Sequence, residues 1–173
     1  LSLGAVFKDL GQLQEAEMSI RKSIELNPNL FNSHFLLGSI LLGQKRLKEA
    51  EQPLRKTIEL NPDFFQAHFN LGAVLKDLGK LQEAELSTRK AIELNPYCAL
   101  SYRDLGICLY LLGNLDSALK FIVKANSLDS QELGSQILLS IFRKEKDRKN
   151  RELKTNKKKS SLDEENLDSN PLI

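Results

Sequence analysis

The sequence predicts an all-α fold, an α-solenoid of antiparallel helix pairs closed by a C-terminal capping helix. Three observations predict it. Gly4, Gly38, Gly72 and Gly106 recur every 34 residues, and Ala16, Ala50, Ala84 and Ala118 keep the same period. Residues 3–28 copy residues 71–96 with five changes in 26 aligned positions. Pro28, Pro62 and Pro96, each preceded by Asn, punctuate the chain at that spacing too. Self-similarity at a fixed period means units that each bury an apolar face on the next.

Each unit reads as two helices. In the copy at 65–98 the first is expected over about 66–78, where Gly79 breaks it, and the second over about 81–94. Asn95-Pro96 stops the second, because Pro lacks the N–H that continues a helix and disfavours helical geometry just before it. Gly72 and Ala84 are small where the two helices cross, and Leu71, Leu75, Leu78, Leu81, Ala91 and Ile92 fill the shared core at helical spacing. The same frame gives a truncated unit at 1–30 and full units at 31–64, 65–98 and 99–132. The first is truncated because Leu1 falls midway through a repeat. A capping helix follows at 133–154, where Ser130 has replaced Pro and Ser140 stands at the Gly position. A tail at 155–173 has too little to bury and is expected to be disordered. Pro53 lies inside a second helix and predicts a mild kink or a late start.

Charge separates the array from its end. Residues 1–142 hold 15 Lys/Arg against 16 Asp/Glu, residues 143–159 hold 10 against 3, and residues 160–173 hold none against 4. The basic run lacks interleaved aromatics and an acidic end follows it, so no nucleic-acid partner is expected. No apolar run approaches the ~20 residues of a membrane span, and a cytoplasmic protein is expected. Cys98 and Cys108 form neither a disulfide framework nor a paired metal pattern and read as buried small hydrophobes. His34 and His68 fall on one repeat position with no third ligand, and no catalytic grouping, metal or cofactor is read from the chain. The pairs Glu15/Glu17, Glu49/Glu51 and Glu83/Glu85 read as a solvated outer face that complements the helix dipoles.

The frame resembles the tetratricopeptide repeat (TPR) family over about residues 1–132. Its motif positions hold His68, Leu71-Gly72, Leu75, Ala84, Thr88, Ala91 and Pro96 in one unit. The unit before has His34, Leu37-Gly38, Leu41, Ala50, Leu54, Thr57 and Pro62. The unit after has Tyr102, Leu105-Gly106, Leu109, Ala118, Ile122, Ala125 and Ser130. The resemblance implies a right-handed solenoid whose first helices line a concave groove that holds a peptide or helical segment of a protein partner. It places Asn32, Phe35, Ser39 and Leu42 there, with Gln66, Phe69, Asn70, Ala73, Lys76 and Asp77, and Leu100, Arg103, Ile107 and Tyr110. Phe35 and Phe69 occupy equivalent positions and are expected to stack as aromatic anchors. A clamp for a terminal carboxylate is not expected: where that kind of groove carries Lys, Asn and Arg, the corresponding positions here hold Phe35, Ser39, Asn70, Leu100 and Asp104, of which only Asn70 fits. The competing reading is a substrate-recruiting arm of a transferase, similar to the arrays attached to glycosyltransferases, with the catalytic domain outside this chain. Self-association through the half-unit at the start is a third reading.

Overall fold

The computed structural model describes the backbone of residues 3–168 and the side chains of residues 12–156. The described residues form eight helices: α1 (Leu3–Leu26), α2 (Phe31–Gly43), α3 (Leu47–Leu60), α4 (Phe65–Asp77), α5 (Leu81–Leu94), α6 (Ala99–Leu111), α7 (Leu115–Leu128) and α8 (Leu133–Asp168). Contacts run from neighbour to neighbour. The pairs α2/α3, α4/α5 and α6/α7 form hairpins, and each second helix also packs on the first helix of the next unit. The result is a helical solenoid.

The hairpin turns share one construction. Gly79 and Gly113 take the left-handed conformation, φ +76° and +86°. Around each, the chain closes the first helix with paired backbone bonds: Gly79 N–H to Lys76 C=O with Lys80 N–H to Leu75 C=O, and Gly113 N–H to Tyr110 C=O with Asn114 N–H to Leu109 C=O. Glycine is the residue for this position because it has no Cβ to collide with the backbone. The unit between Phe31 and Leu60 makes the same turn with Lys45 at φ 61°.

Inside the hairpins the small residues work as expected. Gly38, Gly72 and Gly106 face Leu54, Thr88 and Ile122, and Ala50, Ala84 and Ala118 are fully buried. The core continues through Leu37, Leu41, Leu71, Leu75, Leu105 and Leu109 to Phe142 on α8. Burying one such Leu is worth roughly 1.5–3 kcal/mol. Thr57 and Thr88 are buried too, their hydroxyls donating to the Pro53 and Ala84 carbonyls in the preceding turn. The two histidines fasten unit junctions: Nε2 of His34 donates to the Pro28 carbonyl and that of His68 to the Pro62 carbonyl, each at 2.8 Å. A carbonyl can only accept, so Nε2 carries the proton.

Three expectations change. α1 is one helix that runs through Gly11, where the repeat predicted a turn. α3 starts at Leu47 and passes Pro53 uninterrupted, so it does not start late. α8 continues past residue 154 to Asp168, where disorder was expected from residue 155. No Gly or Pro interrupts residues 135–170, and opposite charges pair along the helix, Arg148 with Glu145 and Glu152. Such pairs support the helix as far as Glu152, and beyond it no Gly or Pro stands to stop it before Asp168. The rest of the predicted tail, 169–173, lies outside the described residues, as do the surroundings of Gly4.

Candidate protein-interaction face

Successive first helices touch one another, α2 with α4 and α4 with α6. They therefore lie on the closely spaced, inner side of the array. Two bonds set the register there. Asn70 Nδ2 donates to Ser39 Oγ at 3.0 Å, and Lys76 Nζ donates to Asp104 Oδ1 at 3.0 Å. Each joins one unit to the next.

These bonds change the reading of the predicted contacts. Asn70, Ser39 and Lys76 are struts between units. Arg103 is another: it pairs with Glu132 at 2.7 Å, just ahead of α8, and lies 3.5 Å from Asp104. Tyr110 stacks on Phe142 of α8 with ring centroids 4.4 Å apart. Asp77 stands 3.9 Å from Lys45, both largely in solvent, a pair of little energetic weight. Asn32 and Gln66 are exposed, and Ala73 and Leu42 are half-buried.

Phe35 and Phe69 do not stack on each other. Phe35 meets Phe64 edge-on at 4.9 Å, and Phe64 meets Phe31 at 5.3 Å, so three rings fill the junction between two units. Phe69 stacks on Phe65, four residues earlier on its own helix, at 6.0 Å. A ring from the intervening turn reaches Phe35 first.

Sequence reasoning missed an apolar continuation of the same face. Ile137 follows Phe35, Phe69 and Arg103 at the repeat spacing, and Ile141 follows Ser39, Ala73 and Ile107. Both isoleucines are 49% exposed. With Leu100 and Leu111, also exposed, and half-buried Ile107, they extend the inner face from α6 onto α8. The i, i+4 spacing of Ile137 and Ile141 was the available signal.

The acidic pairs of the second helices are also misread by sequence. Glu15, Glu49 and Glu83 are exposed, but the second Glu of the pair at 49/51 is buried. Glu51 accepts from Lys80 of the next unit at 2.8 Å and from Arg55 at 2.9 Å. One repeat earlier, Glu17 accepts from Arg46 at 2.6 Å and Arg21 at 2.7 Å. The Arg46 hydrogen bond holds the Glu17 carboxyl below its ordinary 4.5, and the Lys80 hydrogen bond does the same for Glu51. At the next position the cation is gone. Asn114 stands there and caps α7, its side chain accepting from Ser117 N–H. Glu85 keeps only Arg89 on its own helix.

Cys108 is buried, which pushes its thiol up to about 11, and Cys98 is half-buried; both are free. Among the described residues no group of three or more His, Cys, Asp or Glu could hold a metal, and no helix is long and apolar enough to cross a membrane. Two open surface clefts, of about 370 and 580 Å³, are lined by none of the predicted inner-face residues.

Tetratricopeptide repeat family patterns match residues 1–30, 20–52 and 65–98. No curated protein matches the chain. Among solved structures, a crystal structure of MamA is 21% identical, covers 97% of this chain and 98% of its own, and superposes with a TM-score of 0.77. MamA from Desulfovibrio magneticus RS-1 is 21% identical, covering 91% of this chain and 89% of its own, TM-score 0.76. YrrB, described as a TPR protein with an unusual peptide-binding site, is 23% identical, covering 78% of this chain and 70% of its own, TM-score 0.70. At these identities the likeness speaks for the fold. With the repeated Leu-Gly, Ala and Pro positions on stacked hairpins and three matches to its sequence pattern, the chain belongs to the tetratricopeptide repeat family.

Proposed function

We propose that this chain is a protein-interaction module that binds a peptide or helical segment along the inner face of α2, α4, α6 and α8. The observation that carries the reading is a path of partly or largely exposed apolar side chains at inner repeat positions, Phe69, Ala73, Leu100, Ile107, Ile137 and Ile141. Their polar neighbours Asn70, Lys76 and Arg103 are tied to adjacent units. A rigid frame that leaves apolar anchors in water suits a segment that brings its own apolar side chains. Phe69 is the proposed aromatic anchor, with Phe35 supporting the wall behind it, and Asn32, Gln66 and Asp77 are the proposed polar contacts. The peptide-binding site described for YrrB lends support from a shared fold.

The test selects peptides from a displayed library on the immobilised chain, then measures their affinity for variants. Replacing Phe69 and Ile141 by Glu is expected to weaken the selected peptides at least about 30-fold, the loss typical of a removed anchor. Replacing Met18 and Leu86, exposed apolar residues of α1 and α5 away from this face, is expected to leave affinity unchanged. The reverse pattern would place the binding surface elsewhere.

A further inference from the structure

The repeat changes character inside α8 through its own residues. Leu41, Leu75 and Leu109 are buried in the hairpin cores, and Arg143 follows them at the 34-residue spacing. Arg143 is exposed. Lys45, Gly79 and Gly113 turn the chain out of each first helix, whereas Asp147 at the same spacing lies within α8. A guanidinium does not fill an apolar helix crossing, and the chain does not turn at Asp147. α8 therefore keeps the inner-face positions of a first helix and carries that side on past the turns of the array.

Ile137, Ile141, Lys144 and Arg151 stand at i, i+4, i+7 and i+14, which puts them along one side of the helix. Lys144 continues the inner position of Leu42, Lys76 and Tyr110. The two isoleucines are exposed apolar residues, and Lys144 and Arg151 beyond them are exposed cations. The other cations nearby are already engaged. Lys76 is held by Asp104, Arg103 by Glu132 and Lys146 by Asp116. Arg148, between Lys144 and Arg151, is held by Glu145 and Glu152. Among the described residues Lys144 and Arg151 form no ion pair, and Asp147, one turn from each, pairs with neither. Residues 143–154 hold seven Lys/Arg against three Asp/Glu, so the field along the strip is positive.

We infer, resting on the inner-face binding proposed above, that the bound protein segment is apolar followed by acidic. Its apolar side chains seat on Ile137 and Ile141, and its Asp and Glu side chains meet Lys144 and Arg151. At about 1.5 Å per residue, Lys144 stands about 10 Å beyond Ile137 and Arg151 about 10 Å further. An extended segment of about seven residues spans that distance. Charges beside an apolar anchor fix register and partner choice more than raw affinity. Other polyanions suit the strip less well. Leu153 is the only apolar residue from 143 to 156, so a lipid surface finds no apolar face to take up. Glu145, Asp147 and Glu152 interrupt the cations, and no aromatic accompanies them for a nucleic-acid base to stack on.

The experiment selects displayed peptides on the parent chain and on a variant with Lys144→Glu and Arg151→Glu, and sequences both pools. The parent's peptides are expected to be enriched in Asp and Glu beside an apolar run, and the variant's are not. At about 50 mM salt the parent's peptides are expected to bind the variant about tenfold more weakly, with most of the difference gone at about 1 M. The gentler pair Lys144→Gln and Arg151→Gln is expected to fall between. Lys48→Glu with Lys124→Glu, exposed cations of α3 and α7, changes the net charge equally and is expected to leave affinity unchanged. A parent pool without acidic enrichment, or an equally acidic variant pool, overturns the inference. If such peptides still depend on Phe69, inner-face binding stands and only its charge preference falls. Selection of no peptide on the parent overturns both. Binding of polyuridylate or of phosphatidylserine vesicles, or a two-chain mass by light scattering, overturns the inference too when the Lys144 and Arg151 substitutions abolish it, because the strip then serves nucleic acid, lipid or a second copy.

Discussion

At Gly106 an added Cβ would stand 2.7 Å from Ile122 Cδ1 and 3.2 Å from the Ala118 carbonyl, whereas at Gly43 it would meet nothing within 4 Å. The two glycines therefore respond oppositely to the same substitution. Gly106→Ala is expected to cost roughly 1–3 kcal/mol through overpacking, and Gly43→Ala, at the end of α2, to gain up to about 1 kcal/mol through lower chain entropy. Thermal melts followed by circular dichroism check both, at about 2–4 °C per kcal/mol for a chain of this size. This distinction was legible in the sequence, because Gly106 is in phase with Gly38 and Gly72 and Gly43 is not. The roles of Lys76 and Arg103 were not legible. Their partners Asp104 and Glu132 lie 28 and 29 residues later, and whether a charge there is free depends on how the units are rotated against each other. Phe35 was misread for a related reason: Phe64, in the turn before the next unit, takes the place assigned to Phe69.

At the scale of elements, the hairpin boundaries followed from local chemistry, since left-handed residues and Asn-Pro steps end helices whatever surrounds them. The informative exception is Lys45, which makes the turn that Gly makes in the next two units. A left-handed conformation costs a residue with a side chain about 1–2 kcal/mol. Its pairing with Asp77 at 3.9 Å is too exposed to offset that. Lys45→Gly is therefore expected to stabilise the array by roughly 0.5–1 kcal/mol after the greater chain entropy of Gly is subtracted. The check is a rise in melting temperature with no change in helical content, and a fall would mean that the Lys45 side chain contributes a contact beyond Asp77. The ends of the array were less legible. α1 shares its residues with a hairpin almost identical in sequence, so local propensity alone does not decide between straight and folded. α8 was cut short because the residues after 154 were read for what they could bury, whereas no Gly or Pro stands there to end the helix before Asp168.

At the scale of the molecule, each unit is held to the next by apolar packing and by a ladder of carboxylates, Glu17 to Arg46 and Glu51 to Lys80. In a repeat array the interface between neighbours decides whether units unfold together. Both carboxylates are held below their ordinary 4.5 in the folded chain. The sign follows from linkage: a depressed folded value contributes stability above the unfolded value, and that contribution is lost as pH falls through the folded one. The loss therefore begins near pH 4.5 and deepens below it. Glu51 is the more consequential of the two because it is buried, with 8% exposure, and its ion pairs are less screened than surface ones. Acidification from about pH 7 to about pH 3 is expected to lower the melting temperature and to broaden the transition as the units uncouple. Glu51→Gln is expected to be less stable than the parent at pH 7, where Lys80 and Arg55 lose their charged partner, and to lose less on acidification. Melts of both chains at the two pH values decide the matter. Parallel losses would mean that apolar packing alone couples the units, while a smaller loss in Glu51→Gln assigns the coupling to the carboxylate ladder.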